Sequence, residues 1–220
     1  MASLSYDDAA QWAEHYPSTA ERRADKLVHL LGIALSAAIG AGLFAHALAH
    51  ARPAIAGAIA LYTASAIAML GCSALFNLAP PSRVRPILQR LDETAIFMMI
   101  AATSTPYLLT LSAGRWPAAG VEWIVAAAGA SLRLAAPRWS FWTALYVGYA
   151  ALSLALAAPS AARLPTVSLG WLSVVIATYC AGVCVFLSSR LPYRRAVWHA
   201  CVVVGMALDF GALATGLVGG

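Results

Sequence analysis

Long apolar runs alternate with short polar segments along almost the whole chain. A helix needs about 20 predominantly apolar residues to cross the hydrocarbon core of a bilayer, and seven runs reach roughly that length. They span approximately 27–48, 54–78, 93–113, 118–136, 139–158, 165–188 and 196–218. The pattern predicts an all-α integral membrane protein, a seven-transmembrane helix bundle whose transmembrane domain covers 27–218.

Residues 1–26 precede the first run and form a polar N-terminal arm. The arm has no apolar core, so we expect no cleavable signal peptide. Ser18 or Thr19, followed by Glu21, predicts a short amphipathic helix over 18–26 at the membrane surface. The first membrane helix would then also act as the targeting signal.

Composition supports a membrane protein and excludes an ordinary soluble domain. Hydrophobic residues make up 61% of the chain and charged residues 10%, whereas a soluble domain carries about 25% charged residues. The formal net charge is +5, but the basic residues are scattered singly at the edges of apolar runs, without the basic stripe of a nucleic-acid surface. We therefore expect membrane lipids as partners and no nucleic acid, and the pattern identifies no protein partner.

The cysteines lie within apolar runs, at Cys72, Cys180, Cys184 and Cys201. This placement predicts small packing residues rather than disulfides. A metal site with thiolate ligands is an alternative, although the spacing matches no metal motif.

The basic residues also predict an orientation, because cytoplasmic segments of membrane proteins carry an excess of lysine and arginine. With the N-terminus in the cytoplasm, eleven basic residues fall on the cytoplasmic side. Only three, Arg52, Arg115 and Arg163, fall on the outer side. An odd number of spans then places the C-terminus outside. We expect the bacterial inner (plasma) membrane as the location.

Polar side chains at membrane depth are costly, which makes them candidates for a functional site. In the predicted topology one group lies within one or two turns of the cytoplasmic boundary, or about 5–10 Å at 1.5 Å per residue. These candidates are His29, Ser73, Asn77, Asp92, Arg195 and His199. Residues far apart in the sequence thus share one layer.

Asp209 lies ten residues beyond His199, about 15 Å further along the same helix, and so cannot join that layer. Its expected partner is a hydroxyl among Thr103–Thr105 in the third span. Asp209 is interpreted either as a hydrogen-bonded structural acid or as part of a proton path in which Glu122 is a second member.

Other ionisable residues have two interpretations each. Glu21 and Asp25 are candidates for a cytoplasmic docking site, although a solvated helix face explains them equally well. His29 is either a pH-responsive group or an anchor of a helix end. Glu122 and Arg133 lie near the two ends of the fourth run, from which each could extend to an interface.

Several short motifs, taken together, resemble one family. In chain order they are Glu21-x-x-x-Asp25-x-x-x-His29, Ser73-x-x-Phe76, Arg90-Leu91-Asp92, Ile100-Ala101-Ala102-Thr103-Ser104-Thr105-Pro106-Tyr107, and Ala196-Val197-Trp198-His199 with Val202-Val203-Val204-Gly205. Their order and spacing resemble the hemolysin III family, which belongs to the progestin and adipoQ receptor superfamily together with the adiponectin receptors. The resemblance extends over nearly the whole chain from Glu21 onward.

The resemblance implies a seven-helix bundle with a cytoplasmic N-terminus and a zinc site near the cytoplasmic face. In the family three histidines bind zinc, and an aspartate that opens the third helix contacts the zinc-bound water. The matching ligand positions here are Asn77, Arg195 and His199, and the matching aspartate is Asp92. Catalytic zinc normally takes three protein ligands, and only His199 is retained. We therefore expect no cofactor, with zinc as the alternative.

Arg195 is interpreted as a replacement for the metal. Its guanidinium would pair with Asp92, while Asn77 and Ser73 complete the hydrogen bonds and hold three helices together. The alternative is that Arg195 extends into the cytoplasm as one of the basic residues that set the orientation.

These residues favour a metal-independent role in maintaining or sensing the state of the membrane. One alternative is a zinc-dependent lipid amide hydrolase, in which Asp92 would orient the attacking water; the missing ligands argue against this enzyme. Another is a channel or cytolytic pore. A serine nucleophile built from Ser73, His199 and Asp92 is disfavoured, because these residues surround a metal in the resembling family.

Cysteine labelling tests the predicted orientation. In a variant whose native cysteines are replaced by alanine, we expect Arg163→Cys to react with a membrane-impermeant maleimide in intact cells, because position 163 lies on the predicted outer side. Arg190→Cys, on the predicted cytoplasmic side, is the matched control and should react only after the cells are permeabilised. The opposite pattern would invert the topology.

Overall fold

The apolar runs form α-helices in a computed structural model of the chain, which describes residues 15–50, 52–110, 116–135, 141–188 and 190–218. The helices are α1 (Thr19–Ala49), α2 (Pro53–Leu78), α3 (Arg85–Thr110), α4 (Trp116–Ala135), α5 (Trp142–Ala161), α6 (Thr166–Leu187) and α7 (Arg194–Leu213). A π-helical turn, Ala214–Val218, follows α7. The described residues contain no β-strand, which confirms the all-α fold class.

Six of these helices, all except α3, are long and apolar enough to cross a bilayer. Helix α3 is less apolar because its first half carries charged residues, Asp92 and Glu93 among them, and its second half contains four serine or threonine residues and Pro106. The structure therefore supports an all-α membrane protein with several spans. The exact number of seven spans and the sides of the two termini stay predictions.

Helix α1 begins well before the first apolar run. Ser18 has an extended backbone conformation, and its side-chain oxygen accepts a hydrogen bond from the backbone N–H of Glu21 at 3.1 Å, as expected of an N-cap. The helix predicted over 18–26 is present, but it continues without interruption to Ala49. No proline or glycine precedes Gly32 in this helix, so nothing separates the end of the arm from the first span.

Helix α3 lies between two hydrophobic cores. The larger core joins α1, α2, α3, α6 and α7 around Tyr62, Met206 and Phe210, and the smaller one joins α3, α4 and α5. Successive residues of a helix point about 100° apart. Accordingly, Ala101 belongs to the smaller core and Ala102 to the larger one, which makes α3 the wall that both halves of the bundle share.

The outside of the bundle is strongly apolar. Large hydrophobic side chains are exposed on most helices, for example Leu75, Ile124 and Leu187, each more than 60% exposed. A water-soluble monomer rarely exposes continuous apolar surface of this extent. Hydrocarbon is the solvent that suits this surface, so the fold is that of an integral membrane protein.

Two charged residues of α4 are buried instead of reaching an interface. Arg133 donates a short hydrogen bond to Glu93 of α3, and its guanidinium lies over the Trp142 ring at 5.2 Å. Glu122 accepts a hydrogen bond from the Tyr149 hydroxyl at 3.1 Å. The expectation that these residues extend to an interface was therefore wrong, because partners within the smaller core compensate each of them.

Asp209 is buried in α7 and accepts a hydrogen bond from the Tyr107 hydroxyl at 2.8 Å. The expected partners, the hydroxyls of Thr103–Thr105, donate instead to carbonyls of their own helix, at Met99 and Ala101. A helical serine or threonine reaches the carbonyl three or four residues earlier without moving the backbone. The partner predicted for Asp209 was therefore wrong, and the longer tyrosine side chain takes that place.

The four cysteines, at Cys72, Cys180, Cys184 and Cys201, are free in the structure. They therefore form no disulfide, as their placement in apolar runs predicted.

Helices α1 and α2 approach each other closely at Gly40. A Cβ atom at this position would lie 2.1 Å from Thr63 Oγ1 and 2.5 Å from Thr63 Cγ2. The Thr63 hydroxyl is held by a 2.7 Å hydrogen bond to the carbonyl of Ile59, so this side chain has little freedom to move away. The two helices therefore depend on glycine at this position.

We expect Gly40→Ala to destabilise the protein by about 1–3 kcal/mol through overpacking, measured as a lower midpoint of thermal unfolding in detergent. Gly42 on the same helix has no atom within 4 Å of the corresponding Cβ position. Gly42→Ala is therefore the matched control, and should be neutral or stabilising by up to about 1 kcal/mol because alanine favours the helix. Equal effects of the two changes would contradict the close packing.

Candidate functional site

A cluster of polar side chains occupies the end of the bundle where α1, α3 and α7 begin and α2 ends. We call it the polar cluster, and it consists of Asp25, His29, Ser73, Asn77, Asp92, Arg195 and His199. The layer predicted from the sequence is thus present as one set of neighbouring side chains. The structure adds Asp25 to this layer.

Helical spacing explains why each helix supplies its residues to one point. Asp25 and His29 are four residues apart on α1, as are Ser73 and Asn77 on α2. Side chains four residues apart project from the same face of a helix. Each pair therefore faces the interior as a unit.

Asp25 is the centre of the cluster and is 0% exposed. Its Oδ1 atom lies 2.6 Å from His199 Nδ1, and its Oδ2 atom accepts a short hydrogen bond from the Tyr16 hydroxyl. Both carboxylate oxygens thus have a partner, as a buried acid requires. The contact with His199 links α1 directly to α7.

His199 connects Asp25 to Ser73. A carboxylate oxygen accepts, so His199 Nδ1 carries the proton and Nε2 is the acceptor in the neutral ring. His199 Nε2 lies 3.3 Å from Ser73 Oγ, and the serine hydroxyl also bonds the Asp92 carboxylate, so two acceptors share its one proton. Asn77 Nδ2 in turn donates to Ser73 Oγ at 3.2 Å. The hydrogen bonds therefore connect α2 through α7 to α1.

His29 has one bonded and one unbonded ring nitrogen. Its Nδ1 atom donates to the carbonyl of Asp25 at 2.8 Å, which leaves Nε2 with a lone pair in the neutral ring. Nε2 is buried and has no hydrogen-bond partner among the described residues. The His29 and His199 rings have their centroids 4.3 Å apart, so this lone pair lies within the cluster.

Arg195 is directed toward Asn77 and the N-terminal arm. Its Nε atom donates to the carbonyl of His15 at 3.1 Å, and its Nη1 atom lies 3.5 Å from Asn77 Oδ1. Asp92 lies beside Ser73 and within electrostatic range of His199 and Arg195. Over the described ranges, however, no ion pair within 4 Å joins Arg195 to Asp92. Arg195 is thus an internal residue of the cluster, and its closest contacts are Asn77 and the arm.

Two residues of the arm cover the cluster, and sequence reasoning did not identify them. Tyr16 bonds Asp25, and the His15 ring packs edge-on against Phe76 with centroids 5.6 Å apart. Burial, followed by the charges of Arg195 and Arg85, lowers the pKa of His15 to about 3, so this imidazole is neutral at physiological pH. Burial and the bond to Asp25 raise the pKa of Tyr16.

Zinc is the cofactor that the family resemblance implies, and the donor chemistry of the cluster fits it. Asp25, His29 and His199 each offer a ligand atom, and these atoms lie within 4.8 Å of one another. Two imidazoles and one carboxylate are an ordinary zinc ligand set, and the unbonded Nε2 of His29 is suited to a metal. Asn77 and Arg195 stand where the family has zinc-binding histidines. Asp25 and His29 of α1, which the sequence analysis had interpreted differently, offer two ligand atoms in their place.

Two other candidates lie outside the polar cluster. Glu21 is at the first turn of α1, where its backbone N–H is bound by Ser18. Asp209 belongs to α7 but is bound to Tyr107 of α3, as its distance along the helix from His199 predicted.

Comparison with known proteins decides the family. The model of the family described as Haemolysin-III related matches residues 22–210, which is most of the chain. The chain belongs to the hemolysin III family. A protein named Hemolysin-3 from Bacillus cereus is 27% identical over 212 residues, covering 86% of this chain and 89% of that protein.

The family match locates the polar cluster within the hemolysin III fold. All seven residues of the cluster lie inside the matched range, whereas His15 and Tyr16 precede it. The resemblance stated from the motifs is therefore confirmed. The contact between the arm and the cluster thus involves two residues outside the matched range.

Removing the central carboxylate tests the cluster. We expect Asp25→Ala to destabilise the protein by about 3–5 kcal/mol, because it removes one partner of a buried pair and leaves the Tyr16 hydroxyl and His199 Nδ1 without their acceptor. Thermal unfolding in detergent measures the change. Glu21→Ala is the matched control on the same helix and should stay within about 0.5 kcal/mol. If the two variants unfold alike, Asp25 does not hold the cluster together.

Proposed function

We propose that the protein helps to maintain or sense the state of the membrane through a polar cluster that works without metal. The single observation that carries this proposal is the position of Arg195, which bonds Asn77 at 3.5 Å. Two of the positions that bind zinc in the family are thus occupied by the Arg195 guanidinium and by the Asn77 amide, which contact each other. Like charges a few ångströms apart repel by several kcal/mol at an effective dielectric constant of about 20, which opposes a divalent ion beside Arg195.

The hydrogen bonds of the cluster support a structural coupling in place of metal chemistry. Asp25 forms hydrogen bonds with Tyr16 and His199. Ser73 forms hydrogen bonds with His199 and Asn77. These bonds connect the arm, α1, α2 and α7 at one point. A change in the relative position of these helices alters the bonds of His199 to Asp25 and to Ser73, and through Asp25 it reaches the arm at Tyr16.

The proposal includes a membrane arrangement. We place the cluster at the cytoplasmic face of a bacterial inner membrane, with seven spans, α3 among them, and the C-terminus outside. The excess of basic residues on one side supports this orientation, and the burial of α3 between two cores supports its inclusion as a span.

A second candidate function is zinc-dependent hydrolysis of a lipid amide. The specific observation in its favour is the donor set of Asp25, His29 and His199, with the unbonded Nε2 of His29. Zinc bound there would supply a Lewis acid for hydrolysis, and Asp92, beside Ser73 and His199, would orient water.

Zinc stoichiometry separates the two candidates. Elemental mass spectrometry of protein purified without a polyhistidine tag should give close to zero zinc per chain for the wild type and for His29→Ala and His199→Ala. The control is His46→Ala, on α1 but stacked on His50 away from the cluster. About one zinc per chain, lost in the two cluster variants and kept in the control, would replace the metal-independent proposal with the hydrolase.

Loss of the central carboxylate tests the membrane role. In a strain that lacks the gene, the wild type should restore membrane order, measured with an environment-sensitive lipid dye, and Asp25→Ala should not. Restoration by a variant that has lost the central contact would show that the cluster is dispensable for this role.

A further inference from the structure

We propose that Ser73, His199 and Asp25 form a metal-free nucleophilic relay, in which Ser73 accepts an acyl group from a lipid ester or amide. This inference goes beyond the metal-independent membrane role, which involves no covalent chemistry, and it differs from the zinc-dependent candidate in that the nucleophile is a side chain instead of metal-activated water. It rests on the order in which the three side chains are bonded, as follows.

The three side chains are joined in the order that a serine nucleophile needs. Ser73 Oγ lies 3.3 Å from His199 Nε2, and His199 Nδ1 lies 2.6 Å from Asp25 Oδ1. A general base must reach the hydroxyl through one ring nitrogen, while an acid fixes the tautomer through the other. The longer serine contact is of the kind found in sites without substrate, where such bonds are often loose.

Asp25 supplies the acid, which the sequence had assigned to Asp92. Asp92 lies beside Ser73 and His199, but the carboxylate in contact with His199 Nδ1 is that of Asp25. Asp25 is itself held by the Tyr16 hydroxyl at its other oxygen, which fixes the carboxylate toward His199. The two acids therefore have separable roles, and substitution can distinguish them.

One group, the Asn77 amide, is placed to stabilise negative charge next to Ser73, and Arg195 acts on it only through that amide. Asn77 Nδ2 lies 3.2 Å from Ser73 Oγ, and the Arg195 guanidinium bonds the same amide at Oδ1. A carbonyl carbon attacked by Oγ develops an oxyanion one bond away from that oxygen. Donors already positioned for it lower the barrier, because they need no reorganisation during the reaction.

The depth of Ser73 indicates the class of substrate. Ser73 precedes the end of α2 at Leu78 by five residues, or about 8 Å at 1.5 Å per residue. In a bilayer the ester and amide carbonyls of lipids lie at the boundary between headgroups and hydrocarbon, close to this depth. Ser73 is 6% exposed, so a lipid acyl carbonyl matches it in depth and reaches Oγ only when the side chains around it move apart.

The reaction balances without a metal or a redox partner. Ser73 Oγ forms a bond to the acyl carbon as its proton moves to His199 Nε2. The bond from that carbon to the leaving alcohol or amine then breaks, and the leaving group takes the proton from His199. Water reverses these steps, releases the fatty acid and restores the Ser73 hydroxyl.

A fluorophosphonate probe tests the relay on the full-length protein in detergent or lipid nanodiscs. Attack by Ser73 would displace fluoride and leave a stable phosphonyl adduct, which peptide mass spectrometry locates. We expect labelling at Ser73 in the wild type, none at this site in Ser73→Ala, and a rate at least about 100-fold lower in His199→Gln and Asp25→Asn. Ser36→Ala removes another buried serine and should label like the wild type.

Several outcomes would overturn the relay. One is an unlabelled Ser73 in folded wild type, a result that depends on no variant. Others are labelling that survives in folded His199→Gln, or labelling lost in Asp92→Asn but kept in Asp25→Asn. Labelling must also persist after treatment with a zinc chelator, because loss would assign the reactivity to a metal. Persistence together with near-zero zinc supports the relay, whereas failure of the relay alone leaves the proposed membrane role intact.

Discussion

A buried carboxylate sets the constraint on which the polar end of this bundle depends. Asp25 is fully enclosed, and an uncompensated charge in that position would cost several kcal/mol. The chain meets this requirement with His199 and Tyr16, which come from α7 and from the arm. Satisfying one acid therefore fixes the relative positions of the first helix, the last helix and the segment that covers them.

Buried carboxylates also need partners beside the smaller core, and there the partners are an arginine and a tyrosine. Glu93 and Arg133 pair across α3 and α4, and Glu122 is held by Tyr149. In both regions the polar groups lie inside the protein while the apolar side chains face outward, because hydrocarbon offers no hydrogen bonds. Helix α3 contributes to both regions, which explains why it is less apolar than its neighbours.

The sequence could predict depth but not direction around the helix axes. Rise per residue is constant, so Ser73, Asn77 and His199 were assigned to one layer correctly. The angular position of each helix depends on packing, which no local pattern encodes. For that reason the sequence analysis interpreted Asp25 as part of a docking face and paired Asp92 with Arg195, whereas in the structure Asp25 bonds His199. The arm residues His15 and Tyr16 lie in no periodic segment, so their contact with the cluster had no local signal.

The uninterrupted length of α1 has a consequence for how the bilayer acts on the protein. Within its 31 residues the apolar run 27–48 spans about 33 Å, whereas the hydrocarbon core is about 30 Å thick. A helix longer than the local thickness adjusts by tilting, so a thinner membrane would tilt this rigid rod further. Asp25 lies near one end of the rod and His199 on a different helix, and hydrophobic mismatch therefore acts directly on the distance between these two side chains.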